Sequence, residues 1–329
     1  MKIGSLKLSN NLVMAPMAGI TDMPFRSLAK SGGAGLVCTE MVSSRALVYG
    51  DKKTRKIIQL SPDEHPVSVQ IFGSKPSEMA EASKICEALG ADIVDINFGC
   101  PVRKIINSGA GVKAVENQDA AARIMESVAK SVKVPVTIKI RIGSLPEENI
   151  APAMVKLAHE CGIKMVAVHA RPASSGHAGK PNLEALRQAV EGAKLPVTGN
   201  GGITDVVSAK EFLSQTGCDG LMVGRAAIGD PEIFKRISHF LATGEKLPEA
   251  TMESRVADLK RHAVLSCEHY GAKTGIIVLR KVASYYLKGL PNASRIREKF
   301  NKLSKLSELD ALLEGIWESP YFSETVEIE

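Results

Sequence analysis

Long hydrophobic runs are absent from the sequence, and so is the pattern of an N-terminal leader. None of its 329 residues falls in a stretch that approaches the roughly 18 consecutive apolar residues of a membrane-spanning helix. The chain begins Met1-Lys2-Ile3-Gly4 without the apolar core of a signal peptide. These absences predict a cytoplasmic protein without membrane contact.

Cysteine is sparse and scattered. The six cysteines stand at positions 38, 86, 100, 161, 218 and 267, with no Cys-x-x-Cys pair and no histidine-rich partner segment. This spacing argues against a zinc site and against a disulfide framework. We therefore expect six reduced thiols and no metal.

The composition is that of an ordered globular protein. Hydrophobic residues make up 44% and charged residues 24% of the chain, which argues against extended disorder. At 329 residues the chain exceeds the roughly 250 to 300 at which a single core stops growing. We expect one large domain and a smaller one, in a protein that is monomeric.

Eight short apolar runs alternate with amphipathic segments in the first 244 residues. The runs span residues 12–16, 36–41, 67–71, 93–97, 136–140, 165–169, 197–200 and 220–223. Helical spacing of apolar residues marks the segments 76–89, 118–131, 150–160, 183–190, 205–213 and 233–241. Eight buried strands alternating with helices predict an α/β fold, a (β/α)8 TIM barrel, with a doubly wound sheet as the weaker alternative.

After a linker at residues 245–250 the pattern changes to helices without strands. We expect helices at residues 252–270, 275–288, 293–302 and 306–317, forming a smaller all-helical domain over residues 245–329. Residues 255–305 carry twelve Lys or Arg and three Asp or Glu, whereas residues 308–329 carry seven acids and no base. The basic segment predicts either a nucleic-acid surface or a solvated helical face.

The residues that follow the predicted strands are polar or glycine-rich. In chain order they are Ala15 to Gly19, Glu40, Gln70, Asn97 with Cys100, Lys139 with Arg141, His169 with Arg171, Asn200-Gly201-Gly202 and Gly224-Arg225. Barrel enzymes carry their active sites at the carboxyl ends of the strands, so these side chains should converge.

Cys100 is the most informative of them. In the stretch from Ile93 to Pro101, period-two alternation places Asp95 and Asn97 on one face of a strand. Gly99 tolerates positive φ, and Pro101 disfavours a helical conformation at the residue before it. Cys100 has two interpretations: a small buried residue that only packs in a turn, or a thiol that faces a reacting group.

Two further strand-end features indicate chemistry. The glycine turns Asn200-Gly201-Gly202 and Gly224-Arg225 follow the seventh and eighth strands, where barrels of this kind bind phosphate. Lys139 has three interpretations: a Schiff-base lysine, a cation against the electron-rich ring of a cofactor, or a structural ion-pair partner.

These motifs together resemble the tRNA-dihydrouridine synthases, most closely the bacterial B type. The residues that carry the resemblance are Met14-Ala15-Pro16-Met17-Ala18-Gly19-Ile20-Thr21-Asp22, Gln70, Asp95-Ile96-Asn97-Phe98-Gly99-Cys100-Pro101, Lys139-Ile140-Arg141, His169-Ala170-Arg171, Asn200-Gly201-Gly202 and Gly224-Arg225. The match is collinear from about Met14 to Asp230 and continues more loosely into the helical tail.

The resemblance implies an FMN-binding barrel that reduces the C5=C6 bond of uridines in tRNA. It implies that NADPH reduces FMN, that hydride passes from N5 of FMN to C6, and that Cys100 protonates C5. Pro16, Met17 and Ala18 would lie under the flavin ring, and Gln70, Lys139 and His169 at its polar edge. Asn200, Gly201, Gly202, Gly224 and Arg225 would hold its phosphate, and Asn97 would bind the uracil.

The resemblance also implies residues that bind tRNA. The base must leave its stack, at a cost of a few kcal/mol that distributed contacts must offset. Our candidates for phosphate contacts are Arg280, Lys281, Lys288, Arg295, Arg297 and Lys299, with Arg103 and Lys104 beside the active loop; Arg141 or Arg171 would hold the base or its phosphate. Each of the exposed cations has the alternative of a solvated surface charge. Residues 105–112 are either a mobile lid or a connecting loop.

The chain departs from the family pattern at several loop positions. Many members carry an acidic residue in place of Gly202, Thr in place of Pro172, an Ala-Asp-Trp-like segment in place of Lys180-Pro181-Asn182, and a more apolar pair near Lys113. Three other functions remain open: reduction of a free pyrimidine or enone, RNA binding with vestigial catalysis, and aldolase chemistry at Lys139.

Overall fold

The structure, a computed structural model, describes residues 1–290 and 292–317 and is organised around a parallel barrel. A short antiparallel hairpin, β1 (Lys2–Ile3) and β2 (Leu6–Lys7), precedes the barrel. The remaining strands are β3 (Leu12–Met14), β4 (Val37–Cys38), β5 (Val42–Ser43), β6 (Val67–Phe72), β7 (Ile93–Asn97), β8 (Val136–Arg141), β9 (Met165–His169), β10 (Val197–Asn200) and β11 (Gly220–Val223).

The strands form a nearly closed ring. Their spatial order is β3-β11-β10-β9-β8-β7-β6-β4, every pairing is parallel, and a parallel bridge between Val13 and Leu36 joins the two ends. The strands are Val- and Ile-rich and almost wholly buried, as expected where helices cover the outer face of a parallel sheet. The predicted (β/α)8 barrel is confirmed.

The second predicted strand is interrupted. Residues 36–41 do not form one strand: β4 ends at Cys38, and β5 resumes beside the carboxyl end of β6, with Val42 opposite Ile71. The buried Thr39 accounts for the break, because its hydroxyl donates to the Glu40 carbonyl and accepts from the Gln70 amide. A side chain that bonds to the backbone in this way competes with the regular ladder.

Helices surround the barrel and continue beyond it. Those of the barrel are α1 (Met23–Ser31), α2 (Ser44–Val48), α3 (Lys52–Ile57), α4 (Pro76–Ala88), α5 (Arg103–Ile106), α6 (Gln118–Ala129), α7 (Ala151–Glu160), α8 (Leu183–Val190), α9 (Val206–Thr216) and α10 (Ile233–Thr243). The tail contains α11 (Met252–Tyr270), α12 (Ala272–Leu279), α13 (Ala283–Tyr286), α14 (Ala293–Phe300) and α15 (Leu306–Trp317). Within the described residues no helix is long and apolar enough to cross a membrane.

One tail helix differs from the prediction. The expected single helix over residues 275–288 is two helices, α12 and α13, separated by a tight turn in which the Val282 amide donates to the Leu279 carbonyl. The turn directs Tyr286 inward, where its hydroxyl lies 3.0 Å from His262 Nδ1. Pro291 and residues 318–329, which hold four of the seven acids of the acidic end, lie outside the described residues.

The tail packs along α1 and against the carboxyl end of the barrel. The Tyr270 hydroxyl on α11 donates to Asp22 Oδ2 at 3.0 Å, and the Arg261 guanidinium donates to the Ser31 hydroxyl. Gly229, at φ +80°, lets the backbone of Tyr285 approach so closely that a Cβ would meet it at 2.6 Å. The helices are therefore fixed beside the mouth of the barrel. The predicted division at residue 244 stays a prediction.

Candidate active site

A cavity of about 1110 Å³ opens at the carboxyl ends of the strands. It collects most of the sequence-predicted site residues in one place, as parallel strands require. Those that line it are Pro16, Met17, Ala18, Gln70, Asn97, Cys100, Lys139, Arg141, His169, Arg171, Asn200, Gly201, Gly202, Gly224, Arg225 and Lys288.

A buried carboxyl group lies beneath the cavity. Asp95 on β7 accepts a hydrogen bond from the Thr137 hydroxyl at 2.5 Å and another from Gln70 Nε2 at 2.7 Å. The strand register produces both contacts, because Gln70 and Thr137 are the direct neighbours of Asp95 on β6 and β8. Burial raises the pKa of Asp95. Asp95 thus joins β6, β7 and β8 through side-chain hydrogen bonds.

The network continues upward to the thiol. Gln70 Oε1 accepts from Asn97 Nδ2 at 2.8 Å, and Asn97 Oδ1 accepts from the backbone amides of Gly99 at 3.1 Å and Cys100 at 2.9 Å. The Asn97 side chain thus forms an Asx-type turn that holds the Cys100 backbone. One hydrogen on each side-chain amide nitrogen remains for a ligand.

Cys100 lies in the cavity wall, 7% exposed. Burial raises the pKa of its thiol, which favours the protonated form at neutral pH. Its carbonyl accepts from the Val112 amide at 3.2 Å, and Gly111 packs directly against that carbonyl.

Residues 105–112 pack against Cys100. Ile105 and Ala110 form a small buried cluster with Cys100. Gly109 and Gly111 adopt φ of +77° and +62°, in the left-handed region that glycine tolerates. These contacts favour the connecting-segment interpretation over the mobile lid.

The cavity wall is strongly cationic. Desolvation, followed by the charge of Arg141, lowers the pKa of Lys139 to about 8. The pKa of His169 is also lowered, first by burial and then by the charge of Lys139, so its ring is neutral at pH 7. The positive charge that lowers the pKa of Lys139 and His169 would also favour binding of an anion in the cavity.

The two predicted arginines are anchored to backbone carbonyls. Arg141 donates from Nε to Gly99 at 3.0 Å and from Nη1 to Gly176 at 2.8 Å. Arg171 donates from Nε to Gly179 at 3.0 Å. Both side chains therefore hold the loop after β9 in place, and both line the cavity.

The glycine turns after β10 and β11 allow close approach to the backbone. Gly201 and Gly202 have φ of +112° and +86°. A Cβ at Gly201 would lie 2.7 Å from His169 Cδ2, so only glycine fits there. With Arg225 exposed at the same rim, the donor set suits the phosphate group of a bound cofactor.

Comparison with known proteins identifies the family. The family model described as Dihydrouridine synthase (Dus) matches residues 13–319 of the chain. The chain belongs to the dihydrouridine synthase family. The tRNA-dihydrouridine synthase B of Escherichia coli (strain K12) is 39% identical over 327 residues, covering 97% of this chain and 99% of that one. The probable tRNA-dihydrouridine synthase of Rickettsia bellii is 39% identical over 304 residues, covering 92% and 93%.

Solved structures resemble this dihydrouridine synthase in fold. The old yellow enzyme homologue from Zymomonas mobilis aligns with a TM-score of 0.55 at 16% identity, covering 78% of this chain and 94% of that one. A 2-naphthoyl-CoA reductase complex aligns with a TM-score of 0.56 at 13% identity, covering 73% of this chain and 51% of that one. At these identities the likeness extends to the barrel architecture.

Seven predicted tRNA-binding residues of the synthase lie outside the cavity. Arg103 and Lys104 are exposed on α5, close behind Cys100 in the chain, and Arg295, Arg297 and Lys299 are exposed on α14. Lys281 is exposed and lies beside Gly19 at the rim. Arg280 differs from the expectation of a free surface cation, because it is half-buried and its Nη2 donates to the Leu303 carbonyl at 2.8 Å.

Sequence reasoning missed two residues of the synthase site. His177 lines the cavity and stacks on His169, with ring centroids 5.8 Å apart and planes inclined by 26°. Thr137 completes the bonding of Asp95. No sequence signal marks His177, since it lies in an irregular loop, whereas the position of Thr137 one strand away follows only from the register. Within residues 1–290 and 292–317, no cluster of three potential metal-ligating side chains occurs.

Proposed function

We propose that the protein is a flavin-dependent tRNA-dihydrouridine synthase that reduces the C5=C6 bond of uridines in tRNA. The observation that carries the proposal is a buried thiol, Cys100, whose backbone is held in the wall of a cationic cavity by Asn97 and the buried Asp95 network. Family membership supports it, because the curated relatives are named for this activity.

The cavity residues fit FMN as the cofactor. Gly201, Gly202, Gly224, Asn200 and Arg225 would bind its phosphate, since they combine free backbone approach with positive charge. Pro16, Met17 and Ala18 would contact the ring, with Gln70, Lys139 and His169 at its polar edge. When bound there and reduced by NADPH, FMN would supply the hydride for C6 of the uracil.

The chain itself would handle the base and the proton. Addition of hydride to the conjugated C5=C6 bond places enolate charge on the base, which then needs a proton at C5. The Cys100 thiol is the donor, and its raised pKa keeps it protonated at pH 7. The remaining N–H of Asn97 would hold the uracil in register.

The tail would bind the tRNA. Lys288 reaches the cavity, and the exposed cations Lys281, Arg295, Arg297 and Lys299 extend from its rim onto α14. Such contacts would offset the few kcal/mol needed to extrude a stacked base. We assign residues 1–244 to catalysis and residues 245–329 to tRNA binding, in a monomer that acts on tRNA in the cytoplasm.

The test uses the purified full chain. We expect a yellow protein with a flavin spectrum that reduces unmodified tRNA in the presence of NADPH. Cys100→Ala should lower turnover about 10²- to 10⁴-fold, the usual contribution of a general acid. Cys267→Ala, at a half-buried cysteine on α11, is the matched control and should retain full activity.

Three outcomes would contradict parts of the proposal. A colourless protein that never reduces tRNA would refute the function. Equal turnover of free uridine and tRNA would favour a small-molecule reductase. Full activity of Cys100→Ala would remove the thiol from the mechanism while leaving the reaction class intact.

A further inference from the structure

A second basic surface lies on the barrel itself. It consists of Arg45, Tyr49, Lys52, Lys53, Arg55 and Lys56, which we call the α2–α3 patch. All six side chains are exposed, and Tyr49 is 73% exposed. The inward face of the same segment is apolar, with Leu47 and Ile58 almost completely buried. The segment is therefore a packed support that presents cations and one aromatic ring to solvent.

The cations of the patch have no acidic partners among the described residues. Elsewhere on the surface, Lys84, Lys113 and Lys130 each pair with a glutamate three or four residues away on the same chain segment. The lone acid within the patch, Asp51, is occupied at the N-terminus of α3, where it accepts from the Thr54 amide at 2.7 Å. Five unpaired cations in twelve residues repel one another, a cost that a polyanion would remove.

The patch adjoins the active-site mouth. β5 pairs with the carboxyl end of β6, so α2 starts at the catalytic face, and Met41, just before β5, lines the cavity. At its other end the patch approaches α1, the barrel helix against which the tail packs. The Arg26 guanidinium on α1 donates to the Gln59 carbonyl just after α3, and α1 in turn packs against α11.

Tyr49 adds an aromatic surface that suits an unpaired base. The Arg45 guanidinium lies 5.8 Å from the centre of the Tyr49 ring, and Ser43, Ala46 and Asp51 line a shallow cleft around them. An exposed ring backed by an arginine is a stacking platform for an unpaired base.

From these observations we infer that the α2–α3 patch is a second tRNA-binding surface, separate from the helical tail. Its lysines and arginines bind backbone phosphates, and Tyr49 stacks on an unpaired base. The inference rests on the proposed function, and it adds a contact on the barrel side of the mouth. A folded tRNA would then be held on both sides of the cavity.

The test measures binding of an unmodified tRNA transcript at several salt concentrations. Lys53→Gln/Lys56→Gln removes two charges one turn apart on α3 and keeps good helix formers. We expect the dissociation constant to rise about ten-fold at low salt, and the salt slope to fall by about 1 for each phosphate that the variant no longer neutralises. The matched control is Lys133→Gln/Lys194→Gln, two exposed lysines just before β8 and β10 at the opposite end of the barrel.

The stacking interaction has its own pair of variants. Tyr49→Ala should weaken binding about five-fold or more, whereas Tyr49→Phe keeps the ring and should bind like wild type. Melting temperatures equal to that of wild type would show that each variant is folded.

The outcomes separate this inference from the proposed function. If wild type reduces tRNA while the α3 double variant binds with the affinity and salt slope of the control, the patch inference is overturned and the function stands. If wild type neither binds nor reduces tRNA, both fall. Reduced affinity of both the α3 double variant and Tyr49→Ala, with an unchanged control, supports the surface.

Discussion

Substitution of Gly111 by alanine tests how the position of the thiol is maintained. Gly111 adopts φ +62° and packs on the carbonyl of Cys100, where an added Cβ would lie under 3.0 Å from the oxygen. Real Cβ atoms essentially never approach another atom so closely, and the carbonyl belongs to the backbone, which cannot swing aside as a side chain could. The Cys100 peptide or the segment around Gly111 must therefore move.

The size of the effect follows from the geometry. Restoring an ordinary separation requires a shift of about 1 Å, and a misplacement of this size at a reacting group costs about 10²-fold in rate. The left-handed backbone adds about 1 to 2 kcal/mol of strain for a residue with a Cβ. We therefore expect Gly111→Ala to fold, with lower stability, and to reduce tRNA about 10²-fold more slowly.

Gly90→Ala is the matched control. Gly90 has φ +96°, follows α4 at the opposite end of the barrel, and has no atom within 4 Å of an added Cβ. It carries the same kind of backbone strain without the clash. Single-turnover tRNA reduction measures the activity, and urea unfolding measures the stability. Gly111→Ala that keeps the turnover of Gly90→Ala would refute the claim that this packing positions Cys100.

Three further substitutions test the groups around the site. Thr137→Val removes the bond to the buried Asp95 and should lower the free energy of unfolding by about 1.5 to 3 kcal/mol at pH 7, whereas Thr137→Ser should not; equal urea midpoints for the two would contradict this. Lys139 has a pKa of about 8 in the folded protein, so the unfolded chain binds more protons between pH 8 and 10.5 and wild-type stability should rise across that window. In urea unfolding without cofactor, the free energy of unfolding of wild type should rise by about 3 kcal/mol more than that of Lys139→Met across this window. If the two proteins show the same dependence of unfolding free energy on pH, the pKa of Lys139 is not depressed. Tyr270→Phe removes the hydroxyl that donates to Asp22 and should cost about 1 to 3 kcal/mol of unfolding free energy, while Tyr285→Phe, with no hydroxyl bond among the described residues, should cost little; a reversed order would argue against this contact between tail and barrel.

The barrel and the identity of most residues that line its cavity were predictable, because both depend on local sequence pattern. Strands buried on both faces read as apolar runs, and amphipathic segments between them read as helices. Parallel strands bring their carboxyl ends to one face, so Gln70, Cys100, Lys139 and His169 were expected to meet, and they line one cavity. The interrupted second strand and the divided tail helix were missed, because side-chain bonding at Thr39 and packing of Tyr286 override local propensity.

The roles within the site depend on contacts between distant segments. The sequence by itself determined the order of strands and helices, the chemistry available at each strand end, and the excess of positive charge in the tail. Only the tertiary structure decided that Asn97 caps the Cys100 turn, that Asp95 bonds Gln70 and Thr137 across two strand interfaces, and that Arg280 turns inward. It also decided that the cations of the α2–α3 patch, within the part of the chain that the structure describes, lie unpaired beside the mouth. The physical reason is that strand register and helix packing fix which side chains meet. In the sheet, a register shift of one residue would direct each strand side chain to the other face.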